Sequence, residues 1–309
     1  MTSRSPSRAT PLTWLVTFLA TGHVVLVAAT GRIRWDHVLA DVLLMGVAWA
    51  GPRTRRFLAG AFPLWLTGML LDSQGLWLFV RGPIHTGDLW QLERHLFPAP
   101  GGINWPEWWS THFTPALDLL TGFAYAAYLY EVFAVAIFFF VKKDTRFERV
   151  CWAFLLVNAI GVVIYLVYPA APPWYILKYG PGPADLAAAP SPAGTARFDA
   201  LLGIHYFASF YSRNTNVFGA MPSLHAAYPF MMVLFLWHKG WAWRVPAMLF
   251  SALVAFSAIY LTHHYILDVL AGLTVALAAF LVVEAVFARR PASLPMAVPL
   301  TTSRGDTRA

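Results

Sequence analysis

Eight apolar runs constrain the fold of this chain more than any other feature of its sequence. A helix that crosses a bilayer needs about 20 mostly apolar residues, because its backbone polar groups find no water in hydrocarbon. Several runs reach that length, and only 12% of the residues are charged. The sequence therefore predicts an all-α, polytopic transmembrane helix bundle of about eight spans. The runs lie near residues 12–30, 38–51, 57–80, 115–141, 150–168, 222–237, 245–262 and 266–287.

The distribution of Lys and Arg between the runs predicts the orientation of the bundle. If the N-terminus is cytoplasmic, the inside segments hold 15 of the 22 basic residues and the outside segments hold the other seven. Cytoplasmic loops ordinarily carry this excess. We therefore expect a multi-pass protein of the cell membrane with both termini inside. Removal of the first run as a signal peptide would leave the remaining topology unchanged.

The apolar runs and loops predict three regions. Residues 1–114 hold accessory transmembrane spans and a tryptophan-rich outer interfacial loop, residues 115–288 form the transmembrane core, and residues 289–309 form a disordered cytoplasmic tail. The net charge of +7 comes from short basic clusters between runs. Topology explains these clusters better than a nucleic-acid partner does. The single cysteine, Cys151, lies inside an apolar run, and we interpret it as an ordinary apolar residue of a membrane span.

Two polar stretches interrupt the apolar pattern at the same predicted membrane face. The first, "GAMPSLHAAYP" at 219–229, places Ser223 and His225 where the sixth run begins. The second, "SAIYLTHHYILDVLAG" at 257–272, joins the seventh and eighth runs. Because both stretches lie at the outer surface, the predicted topology brings His225 to the paired histidines of the second stretch.

A histidine and an aspartate in the second stretch have the spacing of a working pair. Asp268 follows His264 by four residues, so both side chains lie on one helix face. An Asp inside a span is costly without a partner, and His264 is the obvious one. A neutral imidazole can attack phosphorus while a carboxylate fixes its tautomer, and a second histidine, His225, can protonate the leaving alkoxide. The Ser223 hydroxyl and the N–H groups of a helix start can hold phosphate oxygens.

Other interpretations of the polar residues compete with phosphoryl transfer. Three histidines and an aspartate could bind zinc, but their spacing matches no zinc motif, and we predict no metal and no cofactor. Single histidines at a membrane interface are usually anchors, and we assign that role to His23, His37, His85 and His238. A proton-relay transporter would use intramembrane acids such as Asp41, Asp72, Asp118, Glu131 and Glu284.

The two stretches resemble the second and third motifs of the phosphatidic acid phosphatase type 2 superfamily. The family's Pro-Ser-Gly-His appears as Pro222-Ser223-Leu224-His225. Its Ser-Arg, five residues, His, three residues, Asp appears as Ser257-Ala258, then His264 and Asp268. The resemblance covers about the last 160 residues. Together with "YPAAPPWY" at 168–175, it is similar to the branch containing fungal inositol phosphorylceramide synthase.

The resemblance implies a six-helix-type phosphatase core toward the C-terminus and a role for each motif residue. It makes His264 the nucleophile, Asp268 its orienter, His225 the general acid and Ser223 a phosphate contact. The family's first-motif Lys and Arg and its third-motif Arg, which hold phosphate oxygens, are missing here. The expected replacements are Lys178, Arg213 and a protonated His263; ordinary loop solvation is the alternative for the first two.

The expected activity follows from the branch that the chain resembles. We expect a membrane phosphotransferase that moves an inositol-phosphate-like headgroup between lipids through a phosphohistidine, at the extracytoplasmic face. The alternatives are a phosphatase of phosphatidic acid or polyprenyl (di)phosphate, and a non-catalytic transporter or scaffold. The substrate is a membrane lipid, and the oligomeric state stays open. The aromatic side chains expected to wall the site, or to serve as interfacial anchors, are Tyr168, Trp174, Tyr175 and Tyr265.

Overall fold

The computed structural model of the protein describes residues 9–31 and 33–289, and this part of the chain is largely α-helical, with only isolated β-bridges beside the helices. The prediction of an all-α fold is therefore confirmed. The helices, numbered in chain order, are α1 Pro11–Ala29, α2 Trp35–Ala50, α3 Pro52–Asp72, α4 Gln74–Trp77, α5 Gly87–Leu96, α6 Trp105–Thr111, α7 Pro115–Val141, α8 Arg146–Val167, α9 Pro173–Tyr179, α10 Thr195–Leu202, α11 Tyr206–Tyr211, α12 Leu224–Leu236, α13 Trp241–Tyr260 and α14 Ile266–Ala288.

Five of these helices, namely α1, α7, α8, α13 and α14, are long and apolar enough to cross a membrane. The other three predicted spans correspond to α2, α3 and α12. Helices α2 and α12 have 16 and 13 residues, and α3 begins with three arginines, Arg53, Arg55 and Arg56. The third run, predicted to reach residue 80, ends as a regular helix at Asp72. The predicted cytoplasmic tail lies outside the described residues from position 290 onward.

Hydroxyl side chains fix the start of several helices. The Thr10, Thr114 and Ser223 side chains accept hydrogen bonds from backbone N–H groups in the first turns of α1, α7 and α12. Such caps satisfy donors that the helix itself cannot pair. Proline occupies the first position of α1 and α7, where its missing N–H costs nothing. The Ser223 hydroxyl therefore has a structural role as the cap of α12, which follows from its position immediately before that helix.

Helices α12 and α14, which carry the two polar stretches, approach each other closely at the backbone. A Cβ added at Gly272 of α14 would lie 2.2 Å from the backbone oxygen of Ser223. The Ser223 N–H donates to the Asp268 carbonyl oxygen at 2.9 Å. Small residues allow such contact, which drives helix association where the hydrophobic effect does not. An ion pair between Arg149 and Glu284, at 2.7 Å, also joins α8 to α14.

Two of the predicted interfacial anchors are buried instead. His23 and His37 are 9% and 7% exposed, and each has an aspartate beside it, Asp41 and Asp72 respectively. The anchor prediction for these two histidines is therefore wrong. The sequence around each histidine did not indicate its acidic neighbour, because Asp41 lies on α2 and Asp72 at the end of α3.

We expect Gly272→Ala to destabilise the protein, because the new methyl group forces α14 away from the Ser223 backbone. Overpacking of this kind costs about 1–3 kcal/mol, which a lower thermal unfolding temperature in detergent will report. Gly46→Ala is the matched control, since a Cβ there meets nothing within 4 Å. Its unfolding temperature should stay level or rise slightly. Equal unfolding temperatures for the two variants would contradict the close packing.

Candidate active site

The corner between α13 and α14 presents two adjacent histidines to the start of α12. The Ala258 carbonyl oxygen accepts hydrogen bonds from both the His263 and the His264 backbone N–H groups, at 3.1 and 3.0 Å. Thr262 takes a positive φ of 60° between them and the helix. The Ser223 to Asp268 backbone hydrogen bond then fixes the start of α12 beside this corner. The two polar stretches thus meet, as the sequence predicted.

Three side chains form a continuous line at this meeting point. His264 Nδ1 lies 2.8 Å from the Ala220 carbonyl oxygen and 3.4 Å from Asp268 Oδ2. His264 Nε2 lies 3.0 Å from His225 Nδ1. Because Nδ1 of His264 faces only acceptors, we assign its proton there, which leaves a lone pair on Nε2. His225 Nδ1 is then the donor to that lone pair.

Aromatic rings from α7 and α11 pack on these histidines. The Tyr125 ring stacks on His225 with centroids 4.3 Å apart, and the Tyr128 ring lies 4.5 Å away. His263 stacks between Tyr125 and Tyr211. The sequence analysis missed these tyrosines, although Tyr125 and Tyr128 share one helix face by their spacing. They cover part of the His225 ring, which also borders the cavity described below.

Burial works against a positive charge on His263. Burial, with a smaller effect from neighbouring His264, lowers the pKa of His263 to about 3, so its ring is neutral at pH 7. Its Nε2 lies 3.2 Å from the Pro192 carbonyl oxygen and is assigned as the donor to it. A protonated His263 as a phosphate contact therefore stays a prediction, which burial disfavours and its place in the cavity lining favours.

The line of histidines opens into a cavity of about 870 Å³. His225, His263 and His264 line it together with apolar and amide side chains. Its arginines are Arg34 and Arg213, and Arg34 was not anticipated from the sequence because it precedes the distant helix α2. Arg34 makes two 3.0 Å contacts to Asp36 and one of 3.3 Å to Asp72, and Arg213 lies 3.8 Å from Asp36. Nearby carboxylates therefore offset both cations.

The remaining predicted contacts lie away from the cavity surface. Ser223 is fully buried and its hydroxyl accepts from the Ala226 N–H at 3.4 Å, as a helix cap. Lys178 is exposed on α9, with its ammonium 5.0 Å from the Tyr179 ring centroid. Of the four predicted wall aromatics, Trp174 lines the cavity. The other three, Tyr168, Tyr175 and Tyr265, are absent from its lining.

Comparison with known proteins identifies the family. Residues 88–282 match the PAP2 superfamily. The chain belongs to the PAP2 superfamily. It is 34% identical to the phosphoinositol dihydroceramide synthase of Bacteroides thetaiotaomicron over 291 residues, which is 90% of this chain and 93% of that protein. It is 32% identical to the inositol phosphorylceramide synthase catalytic subunit of Saccharomyces cerevisiae over 274 residues, 83% of this chain but 64% of the yeast protein. No solved structure gives a significant match.

The departures of this PAP2 chain from the family motifs have local explanations. Leu224, where the family has glycine, is buried, and a Cβ at Gly161 of α8 would lie 3.0 Å from its Cδ2. The missing side chain at Gly161 therefore makes room for the leucine. Ala258, where the family has arginine, is fully buried and contributes its carbonyl oxygen to the histidine corner.

Glu93, to which no sequence motif pointed, holds the start of α14. Glu93 of α5 is fully buried, and its two carboxylate oxygens accept from the Ile266 and Leu267 N–H groups at 2.8 and 3.1 Å. These are the first two residues of α14, immediately before Asp268. The contact spans more than 170 residues of sequence, so no local pattern pointed to it. Glu93 therefore ties α5 to the start of α14, the helix that carries Asp268.

We expect the stability contribution of Glu93 to depend on pH. Burial raises its pKa from 4.5 to about 7, and the charge of Asp268 adds to the shift, although the two N–H donors oppose it. The folded protein therefore binds a proton more readily than the unfolded chain between these values. The favourable contribution is full below about pH 4.5 and is lost as the pH rises through about 7.

The measurement is the unfolding temperature of wild type and Glu93→Gln from pH 4.5 to 8. The difference between them should change across this interval in favour of wild type at the acid end. A Glu107→Gln variant in the neighbouring helix α6 controls for the loss of a loop carboxylate. Parallel curves for wild type and Glu93→Gln would contradict the assignment.

Proposed function

We propose that the protein transfers an inositol-phosphate-like headgroup from a membrane phosphodiester to a lipid hydroxyl through a phosphohistidine. The observation that carries the proposal is the line from Asp268 through His264 to His225 at the cavity wall. The two relatives named above are a phosphoinositol dihydroceramide synthase and an inositol phosphorylceramide synthase catalytic subunit. They support an inositol phospholipid as donor and a ceramide-type hydroxyl as acceptor.

In the first step, the lone pair of His264 Nε2 attacks the phosphorus of the donor. The Nε2–P bond forms and the bond from phosphorus to the diacylglycerol oxygen breaks. His225, which enters the step protonated on both ring nitrogens beside the bound anionic phosphate, gives its Nδ1 proton to that oxygen and is left as a neutral imidazole. Entry of the phosphate between the two rings replaces their 3.0 Å contact. Asp268 and the Ala220 carbonyl stabilise the Nδ1–H of His264 as positive charge develops on the ring.

In the second step, the acceptor hydroxyl attacks the phosphohistidine. His225, now a neutral imidazole, takes the hydroxyl proton on Nδ1 and becomes imidazolium again, and the Nε2–P bond breaks to return His264 to its starting form. Because a phosphohistidine in contact with bulk water is hydrolysed, transfer requires a site from which water is excluded. The Tyr125 ring stacked on His225, the tilted Tyr128 ring and the Leu224 side chain support this, since they cover part of the histidine with apolar surface.

The charge of the cavity supports a diester donor over a monoester. Asp36 and Asp72 offset the two arginines that line it, Arg34 and Arg213. A phosphodiester carries one negative charge and needs less compensation than a dianionic phosphate. The distribution of basic residues supports an extracytoplasmic site, since the loops around it are poor in Lys and Arg.

A transporter is the alternative from another class, and the pairing of four of its five candidate acids argues against it; Glu131 is the exception, with a buried Oε2 that has no partner among the described residues. Asp41 contacts His23, and Asp118 contacts Arg197 at 2.8 Å. Glu284 contacts Arg149. These pairs join different helices and form no chain across the described bundle, as a proton relay would require.

We expect His264→Ala to abolish turnover, because it removes the nucleophile. Asp268→Asn should lower turnover on the order of 10⁴-fold, the effect of losing an orienting carboxylate in a well-characterised triad. Both are measured on purified protein in lipid nanodiscs, with unfolding temperatures to show that the fold persists. His95→Ala, at an exposed position, is the control and should retain activity. Wild-type turnover by His264→Ala would refute the nucleophile assignment.

Donor competition tests transfer against hydrolysis. We expect phosphatidylinositol to outcompete phosphatidic acid and to yield a new inositol-containing lipid when a ceramide is present, because the cavity has little net positive charge. The measurement is mass spectrometry of lipids together with free phosphate, from nanodiscs with and without the ceramide. Rapid release of inorganic phosphate from phosphatidic acid, with no new lipid from the diester, would favour the phosphatase.

A further inference from the structure

A second cluster of titratable side chains lies where the outer ends of α1, α2 and α3 meet. His23 lies near the end of α1, His37 in the first turn of α2, and Asp72 is the last residue of α3. One potential ligand atom from each lies within 4.8 Å of the others. The two histidines have no part in the proposed phosphotransfer, and Asp72 enters it only through the charge at the edge of the cavity.

A buried carboxylate orients one of the two histidines. His23 Nδ1 lies 2.6 Å from Asp41 Oδ2, and Asp41 Oδ1 accepts from the Trp65 indole N–H at 3.0 Å. Asp41 is fully buried. This contact holds the His23 ring and leaves its Nε2 as the available nitrogen. A carboxylate behind a histidine is the usual support of a metal-bound imidazole.

The nitrogens that face the cluster have no hydrogen-bond partner. Among the described residues, His23 Nε2 and both ring nitrogens of His37 are buried and unpaired. His37 Nε2 lies 3.1 Å from Asp72 Oδ1, but without hydrogen-bond geometry. That distance is close to the roughly 3.3 Å between two ligands of a tetrahedral zinc with bonds of about 2.0–2.1 Å. Buried nitrogens ordinarily have a partner, and an ion shared by the three side chains would supply one here.

The charges around the cluster favour a cation. Asp36, Asp41 and Asp72 supply three negative charges. Arg34, which is shared between Asp36 and Asp72, supplies a positive charge, and Arg213 supplies another from 3.8 Å beyond Asp36. With neutral imidazoles, which metal binding requires, the group keeps a net negative charge that a divalent ion offsets.

We propose that His23, His37 and Asp72 bind a divalent metal ion of the zinc type. Two imidazoles and a carboxylate, with a fourth position open, form a donor set that suits zinc. The site is accessible, because His23 and Asp72 line a cavity of about 450 Å³ beside α1 and α3, and Asp72 also borders the 870 Å³ cavity. The ion ties the outer ends of three helices together at the edge of the active site.

Metal content tests the proposal directly. The full-length protein is purified in detergent, treated with a chelator, exposed to zinc, desalted and analysed by mass spectrometry of metals. We expect about one zinc ion per chain for wild type and for the control His112→Gln, an exposed residue, and loss of that ion in His23→Gln and His37→Gln. Asp72→Asn, which preserves shape, should bind zinc at least tenfold more weakly.

Stability provides a second readout that does not depend on activity. Zinc should raise the unfolding temperature of wild type and His112→Gln but not of His37→Gln, because only a folded site gains from the ligand. Equal zinc content in wild type and His37→Gln would overturn the proposal. So would zinc that is lost in His264→Ala but kept in His37→Gln, since the ion would then bind at the catalytic histidines.

Discussion

The described active site depends on Asp268, because this residue holds both sequence motifs at once. Its backbone oxygen accepts from the Ser223 N–H, and its carboxylate accepts from the Tyr265 N–H and lies 3.4 Å from His264 Nδ1. The first contact fixes where α12 begins, and therefore where His225 points. The second fixes the turn into α14. A single buried residue, through its backbone oxygen and its carboxylate, thus sets the relative position of the two histidines.

The sequence predicted the parts of the site that local spacing determines. The interval between His264 and Asp268 puts both on one helix face, and the alternation of apolar runs brings His225 to the same end of the bundle. It also predicted the family, which the match over residues 88–282 confirms. Phosphate contacts were less predictable, because Ser223 is engaged in capping its own helix and Lys178 is exposed on α9.

The contacts that escaped prediction join elements far apart in the chain. Glu93 of α5 accepts a hydrogen bond at the start of α14, and Arg34, in the segment before α2, lines the cavity. Neither belongs to a periodic pattern, since each is a single charged residue whose partner is chosen by packing. The pairing of His23 with Asp41 is of the same kind. The first three helices therefore contribute charge to the cavity edge instead of standing apart from it.

The contact between Leu224 and Gly161 has a consequence for how this chain can vary. The leucine occupies space that a side chain at position 161 would otherwise fill, since a Cβ there would lie 3.0 Å from it. A larger residue at 161 alone would collide, and the family glycine at 224 alone would leave a void beside the histidines. The residues at positions 161 and 224 therefore constrain each other. A glycine at 224, as in the family motif, is best accommodated when position 161 gains a side chain at the same time.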